Sequence, residues 1–160
     1  MQKTWVRALT TLMVIGMMTL IFIFSMEPAD RSDATSGMIS ETVADLIRPG
    51  WRGEPREVRE EFYNGLQHII RKCAHFTEFM LLGISLRLCL ESWFGCRSWL
   101  IPGSWGAGTC YAAFDELHQL LVDGRSGQWT DVLIDSAGVL CGVMLITGIL
   151  ILIRRKRRKL

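Results

Sequence analysis

Two long apolar runs limit what this chain can fold into more than any other feature. Val6 to Met26 reads VRALTTLMVIGMMTLIFIFSM, charged only at Arg7, and Val132 to Ile153 reads VLIDSAGVLCGVMLITGILILI, charged only at Asp135. Each run is about twenty residues, enough for a helix of about 30 Å, the thickness of a bilayer's hydrocarbon core. In a chain of 160 residues, 49% hydrophobic and 21% charged, two such runs argue against a soluble globular domain. The net charge is only +2, yet six of the eighteen Lys and Arg residues lie in the block Arg154 to Lys159. Directly after an apolar span, such a block reads as a topology signal rather than a nucleic-acid arm, so no nucleic-acid partner is expected.

The first run has Lys3 and Arg7 before or near its start and SMEPADRSD at its end, without a small-x-small cleavage pattern, and so reads as a retained signal anchor. Between the two strong runs lie two weaker ones, residues 73–94 and 99–122. Charged and polar residues dilute them, but their lengths fit spans. Trp5, Trp93, Trp99 and Trp129 fall at the proposed span ends, where an amphipathic ring favours the headgroup region. The expectation is an all-α integral membrane bundle of four transmembrane helices in a single domain, residues 1–160, with spans near 6–26, 73–94, 99–122 and 131–153. Basic residues flank the first span and follow the last in a tail at 154–160, which places both termini of a multi-pass membrane protein in the cytoplasm.

Residues 27–72 hold seven basic and nine acidic residues and are too polar to cross, so they form an outer segment. Ile39, Val43, Leu46 and Ile47 repeat at helical spacing, as do Val58, Phe62, Leu66 and Ile69, with a break from Arg48 to Pro55. Two short amphipathic helices, on the membrane surface or packed on the bundle, fit this pattern. The five cysteines are an odd number without a Cys-x-x-Cys pair, and packing is their expected role.

The informative anomaly is ionisable side chains inside the spans. Five isolated carboxylates at mid-bilayer would together cost on the order of 15 kcal/mol on insertion scales, so they must be off-centre, paired, protonated or wet. Arg71, His75, Glu78 and Leu82 fall within a helical sector of about 60°. Gly108, Tyr111, Asp115 and Gln119 share a face of the third span, from which Glu116 points about 100° away. Asp131, Asp135, Gly138 and Gly142 form a stripe that ends in a Gly-x-x-x-Gly close-approach pattern. At about 1.5 Å per residue, Glu78, Asp115 and Asp135 all lie roughly 9–12 Å below the outer boundary, beneath a turn carrying Arg125. Arg87 and Glu91 stand apart near the other end of the second span, spaced for a local ion pair or for snorkelling.

Three roles stay open for this set beside a fourth, a proton-coupled transporter, for which no discontinuous span or inverted repeat is apparent. It can be a polar pocket open to the outside that binds a lipid headgroup or an envelope-directed molecule. It can be catalytic, with His75 as a base oriented by Glu78 and Asp115 or Asp131 as acid, or with a divalent metal on oxygen ligands and one imidazole. It can also be a network that only fixes helix register, with Arg71 or Arg125 neutralising carboxylates. No serine elbow or His-Glu-x-x-His run names an enzyme class.

Taken in order, KCAHFTEF (72–79), DELHQ (115–119), Arg125 and DVLIDSAG (131–138) resemble the VanZ-like family of small bacterial membrane proteins, and the likeness covers nearly the whole chain. The resemblance implies an integral protein of the bacterial cell envelope, in a family whose founding member is associated with resistance to the glycopeptide teicoplanin. It points to His75, Phe76, Glu78, Glu116, Gln119, Arg125, Asp131 and Gly138. Position 135, often Asn in the family, is Asp here. The resemblance favours Glu116 where the helical stripe favours Asp115, so both are kept. The candidate binding set is therefore Arg71, His75, Glu78, Asp115, Glu116, Gln119, Arg125, Asp131 and Asp135, with membrane lipids and a cell-envelope precursor or glycopeptide as expected partners.

Overall fold

The computed structural model describes residues 4–27, 29–122 and 128–157, with side chains described for all of them except 29, 30 and 31–36. Arg125 and its turn, 123–127, lie outside the described residues. Among the described residues five α-helices follow one another, α1 (Thr4–Ser25), α2 (Ala29–Ile47), α3 (Arg56–Phe94), α4 (Leu100–Gln119) and α5 (Trp129–Arg157), with a 3₁₀ turn at Trp51–Gly53 before α3. Helix α3 is the hub, packing against α5, α1, α4 and, through its first half, α2.

Three helices among the described residues, α1, α3 and α5, are long and apolar enough to cross a bilayer. Four spans were expected, and α4 is not among the three. Its 20 residues match the bilayer in length, but Pro102, several glycines and the DELHQ end dilute its apolar character. The second span also differs from expectation in extent. Helix α3 runs unbroken for 39 residues, about 58 Å, so the Val58–Ile69 stretch is the first half of the same helix rather than a short helix of its own. No proline interrupts 56–94, and a helix can leave an apolar environment without a backbone break. It stops at Gly95, whose φ of 69° suits a residue without Cβ and whose N–H bonds the Glu91 carbonyl at 2.9 Å.

Helix α2 folds back on the first half of α3 as a hairpin. Trp51 stacks on Tyr63 with ring centroids 5.5 Å apart, its indole N–H donates to Asp45 at 2.8 Å, and Arg52 bridges Asp45 and Glu41. The Arg52 guanidinium and the Trp51 indole hold the Asp45 carboxyl below the usual carboxylate range. The face of α2 that packs is built from the small residues Ser40 and Ala44, both fully buried, whereas Ile39, Leu46 and Ile47 of the expected apolar stripe are exposed. Small side chains let the two helices approach closely, so the bulky stripe turns outward.

The core between the long helices comprises Ile21, Phe79, Leu82, Ala112, Val139 and Val143. Helices α3 and α5 meet almost backbone to backbone. A Cβ added at Gly138 would lie 2.5 Å from the Phe76 carbonyl oxygen, and one at Gly142 would collide with the Met80 carbonyl. The Gly-x-x-x-Gly stripe of α5 therefore faces protein, as expected. Around this core the outer surface is apolar, including Leu12, Ile15 and Ile23 of α1 and Leu133, Met144 and Leu152 of α5. So large an exposed apolar surface suits a lipid surround.

At the end of the bundle where α3 finishes, Arg87 pairs with Glu91 at 2.6 Å, as its spacing implied. It does not snorkel, however. Arg87 is 3% exposed and reaches Thr147 of α5 at 3.2 Å, while Glu91 also pairs with Arg154. Nearby, Arg7 donates to the Ser92 carbonyl and Thr10 bonds the Ser92 hydroxyl, which ties α1 to the same end.

Candidate functional site

The opposite end of the bundle gathers the polar residues of four helices. Helix α1 ends there at Ser25, α4 ends there with Asp115, Glu116 and Gln119, α5 begins there with Asp131 and Asp135, and α3 passes through with Lys72, His75 and Glu78. Each helix reaches this level for the reason its sequence pattern implied, since the carboxylates of α4 sit in its last turns and those of α5 in its first two.

Asp115 and Glu116 are both buried, yet they serve different neighbours. Asp115 Oδ2 accepts from the Ser25 hydroxyl at 2.7 Å and from Gln119 Nε2 at 3.0 Å, which joins α4 to α1. Glu116 Oε2 accepts the Gln128 backbone N–H at 3.0 Å, at the threshold of α5. A carboxylate there meets unpaired amide groups and the positive end of the helix dipole. The angle of about 100° between adjacent helical residues is what lets the pair address two helices at once. Both carboxylates therefore lie at this end of the bundle, Asp115 bonded to Ser25 of α1 and Glu116 to the backbone just before α5.

Asp131 pairs with Lys72 of α3, and each side chain is 21% exposed. Asp135 is 1% exposed and lies within electrostatic reach of Glu116, Asp115, Asp131 and Lys72. Its Oδ1, and Oδ1 of Asp115, are buried with no hydrogen-bond partner among the described residues. Buried polar atoms are normally paired, so two such oxygens in one centre are a departure that calls for a physical role. His75 and Glu78 stand together on α3, with Nδ1 and Oε2 3.9 Å apart and both side chains 19% exposed. Arg71 is half-buried one turn above His75. Among the described residues no group of three or more His, Cys, Asp and Glu is arranged to hold a metal ion.

Behind the carboxylates a second polar layer locks α4 to α5: the Ser136 hydroxyl accepts from the Trp105 indole at 3.0 Å and bonds Thr109 at 2.8 Å. Tyr111 donates to the Met18 carbonyl of α1 at 2.6 Å, which fixes the face of α4 that carries Asp115. The contributions of Ser25, Lys72 and Gln128 escape a reading of periodicity, because each depends on a partner in another helix. For Lys72 a signal was nonetheless present: it opens the KCAHFTEF run, one helical turn before His75.

A family model described as VanZ/LLP1 matches residues 10–153, a range that contains every described residue of the centre and nearly all of the chain. The chain belongs to this family. No curated protein and no solved structure matches it. The resemblance carried by the KCAHFTEF, DELHQ and DVLIDSAG motifs is thus supported over the whole bundle, and those motifs are the ones that meet at the carboxylate centre.

Proposed function

We propose that the chain is a multi-pass protein of the bacterial cell envelope, crossing the membrane four times with both termini in the cytoplasm, whose carboxylate centre faces outward and recognises an envelope ligand. The observation that carries this reading is the convergence of Asp115, Glu116, Asp131 and Asp135 at one end of the bundle, with two buried carboxylate oxygens unpartnered among the described residues. A network serving only to fix register would satisfy its buried acceptors, since measured interhelical polar pairs are each worth about 0.6 kcal/mol and cannot offset stranded ones. A crossing by α4 is supported by its exposed face, where Phe114 and Leu117 are 55% and 65% exposed beside the buried carboxylates. The acidity of the centre selects for a ligand with amino or hydroxyl donors, a description that cell-wall precursors and glycopeptides share. On this reading the protein contributes to tolerance of glycopeptides of the teicoplanin type or to envelope homeostasis.

The test is complementation of a strain in which deletion lowers tolerance to an envelope-directed antibiotic. Glu116→Gln and Glu78→Gln proteins are expected to insert at wild-type levels and fail to restore tolerance. Full restoration by both would leave the centre a structural network.

A further inference from the structure

A cleft of about 400 Å³ lies on the hairpin formed by α2 and the first half of α3, a segment that the carboxylate centre does not use. Glu41 of α2, Arg52 of the 3₁₀ turn and Arg59, Glu60 and Asn64 of α3 line it, and the stacked rings of Trp51 and Tyr63 supply its apolar part. Arg59 stands thirteen residues before Lys72 on the same helix, about 20 Å away, so cleft and centre are separate places. The arginines around the cleft are paired with one exception. Arg52 bonds Asp45 at 3.1 Å and Glu41 at 3.3 Å, Arg56 bonds Glu60 at 2.7 Å, and Arg48 bonds Glu54 at 2.9 Å. Arg59 is half-buried and meets no carboxylate among the described residues; its Nη1 donates to the Arg52 carbonyl at 3.3 Å. That contact restrains the guanidinium and uses one of its five N–H donors. Glu41 Oε1 and Glu60 Oε2 also have no hydrogen-bond partner among the described residues, since each carboxylate meets its arginine through the other oxygen.

The geometry points to a ligand that carries a carboxylate with an N–H donor beside it, the chemistry shared by a free amino acid and the C-terminal end of a peptide. The carboxylate sits on the Arg59 fork, whose planar donors match two carboxylate oxygens at once. The neighbouring N–H groups reach the spare oxygens of Glu41 and Glu60, the Asn64 amide serves a peptide group, and an apolar side chain lies against Tyr63. Other ligand classes fit less well. A phosphate would bring nearly two negative charges beside Glu41 and Glu60, with Arg59 the one lining cation not already paired. A cation would lie against Arg59, and both carboxylates of the cleft are already engaged. A neutral sugar would leave the guanidinium charge without a counter-ion. The volume is at the low end of the roughly 300–1,000 Å³ of small-molecule sites, which suits one amino acid or the last residues of a peptide rather than a folded partner.

The experiment is calorimetric titration of the full-length protein in detergent micelles with four probes: leucine, alanyl-leucine, alanyl-leucine amide and inorganic phosphate. Alanyl-leucine is expected to bind, and its amide and phosphate at least tenfold more weakly. Free leucine separates the two sources: affinity equal to that of alanyl-leucine assigns the cleft to amino acids, and weaker binding assigns it to peptide ends. Arg59→Gln should weaken alanyl-leucine by about tenfold or more, the effect of losing a charge-assisted hydrogen bond, and Arg59→Lys should restore only part of that loss, because it keeps the charge without the fork. Asn64→Trp, at an exposed position, fills the cleft and should abolish binding. Circular dichroism on each variant separates loss of the site from loss of the fold. No binding of either leucine or alanyl-leucine, equal affinity for the amide or for phosphate, or unchanged affinity in Arg59→Gln would each overturn the proposal. Glu116→Gln should bind alanyl-leucine as wild type does; a loss there would put the ligand at the carboxylate centre instead of the cleft.

Discussion

Glycine to alanine at two positions of the same helix should have effects of opposite sign. Both substitutions gain helix propensity, about 0.8–1.0 kcal/mol each. At Gly148 nothing lies within 4 Å of the added methyl, so that gain stands alone. At Gly138 the methyl carbon would sit 2.5 Å from the Phe76 carbonyl oxygen, where ordinary carbon–oxygen contacts begin near 3.3 Å, so α3 and α5 must separate by about 0.8 Å. A backbone carbonyl has no alternative rotamer, and the whole helix must move. Such overpacking costs about 1–3 kcal/mol, and because the propensity gain is common to both variants, that cost is also the difference between them. Gly142→Ala should be at least as damaging, because its methyl collides with the Met80 carbonyl. The measurement is denaturant unfolding in mixed micelles, followed by circular dichroism. Gly138→Ala as stable as Gly148→Ala would refute the close α3–α5 contact and, with it, the register that brings Lys72 to Asp131.

Other outcomes follow from the same geometry. Ser25→Ala removes a buried hydrogen bond to the Asp115 carboxylate and should destabilise the fold by about 1.5–3 kcal/mol in the same unfolding assay; a change within error would mean that α1 does not anchor the centre. Arg87→Met strips one partner from Glu91 and should cost about 3 kcal/mol, at the low end for a broken buried pair because Arg154 still reaches Glu91. Asp45 has a carboxyl whose pKa is lowered in the folded hairpin, so it contributes stability above its unfolded pKa of about 4 and loses that contribution as pH falls through the folded value. Hydrogen-exchange protection of α2, corrected for intrinsic rates, should therefore fall at acid pH in wild type and be pH-independent over that range in Asp45→Asn.

Much of this architecture is legible in the sequence because membrane spans announce themselves by length and apolarity. Helices α1 and α5 follow directly from the two strong runs. The level shared by Asp115, Glu116, Asp131 and Asp135 follows from rise per residue, which is a property of any helix. Direction is legible too: adjacent residues on α4 diverge by a fixed angle, and Asp115 and Glu116 do find partners on α1 and beside α5. What periodicity does not announce is packing by small residues. It picks out Ile39 and Leu46 as the apolar stripe of α2, but the close approach to α3 depends on Ser40 and Ala44. It also treats the change in polarity near residue 72 as a helix boundary, although a helix satisfies its own backbone in water and lipid alike and α3 continues through. Arg87 is a related case. Spacing finds Glu91, but only the fold brings Thr147 and Arg154 to the same place and buries the guanidinium.

The whole account depends on α4 crossing the membrane and on the carboxylate centre opening to the outside. Cysteine labelling tests both together, with Cys96 retained between α3 and α4 in one variant and Gln128→Cys introduced ahead of α5 in another, all other cysteines being replaced. With a membrane-impermeant maleimide on intact cells, residue 128 should label at once and Cys96 only after lysis. Labelling of both positions from the same side would mean that α4 does not cross, and the reverse pattern would place the carboxylate centre in the cytoplasm.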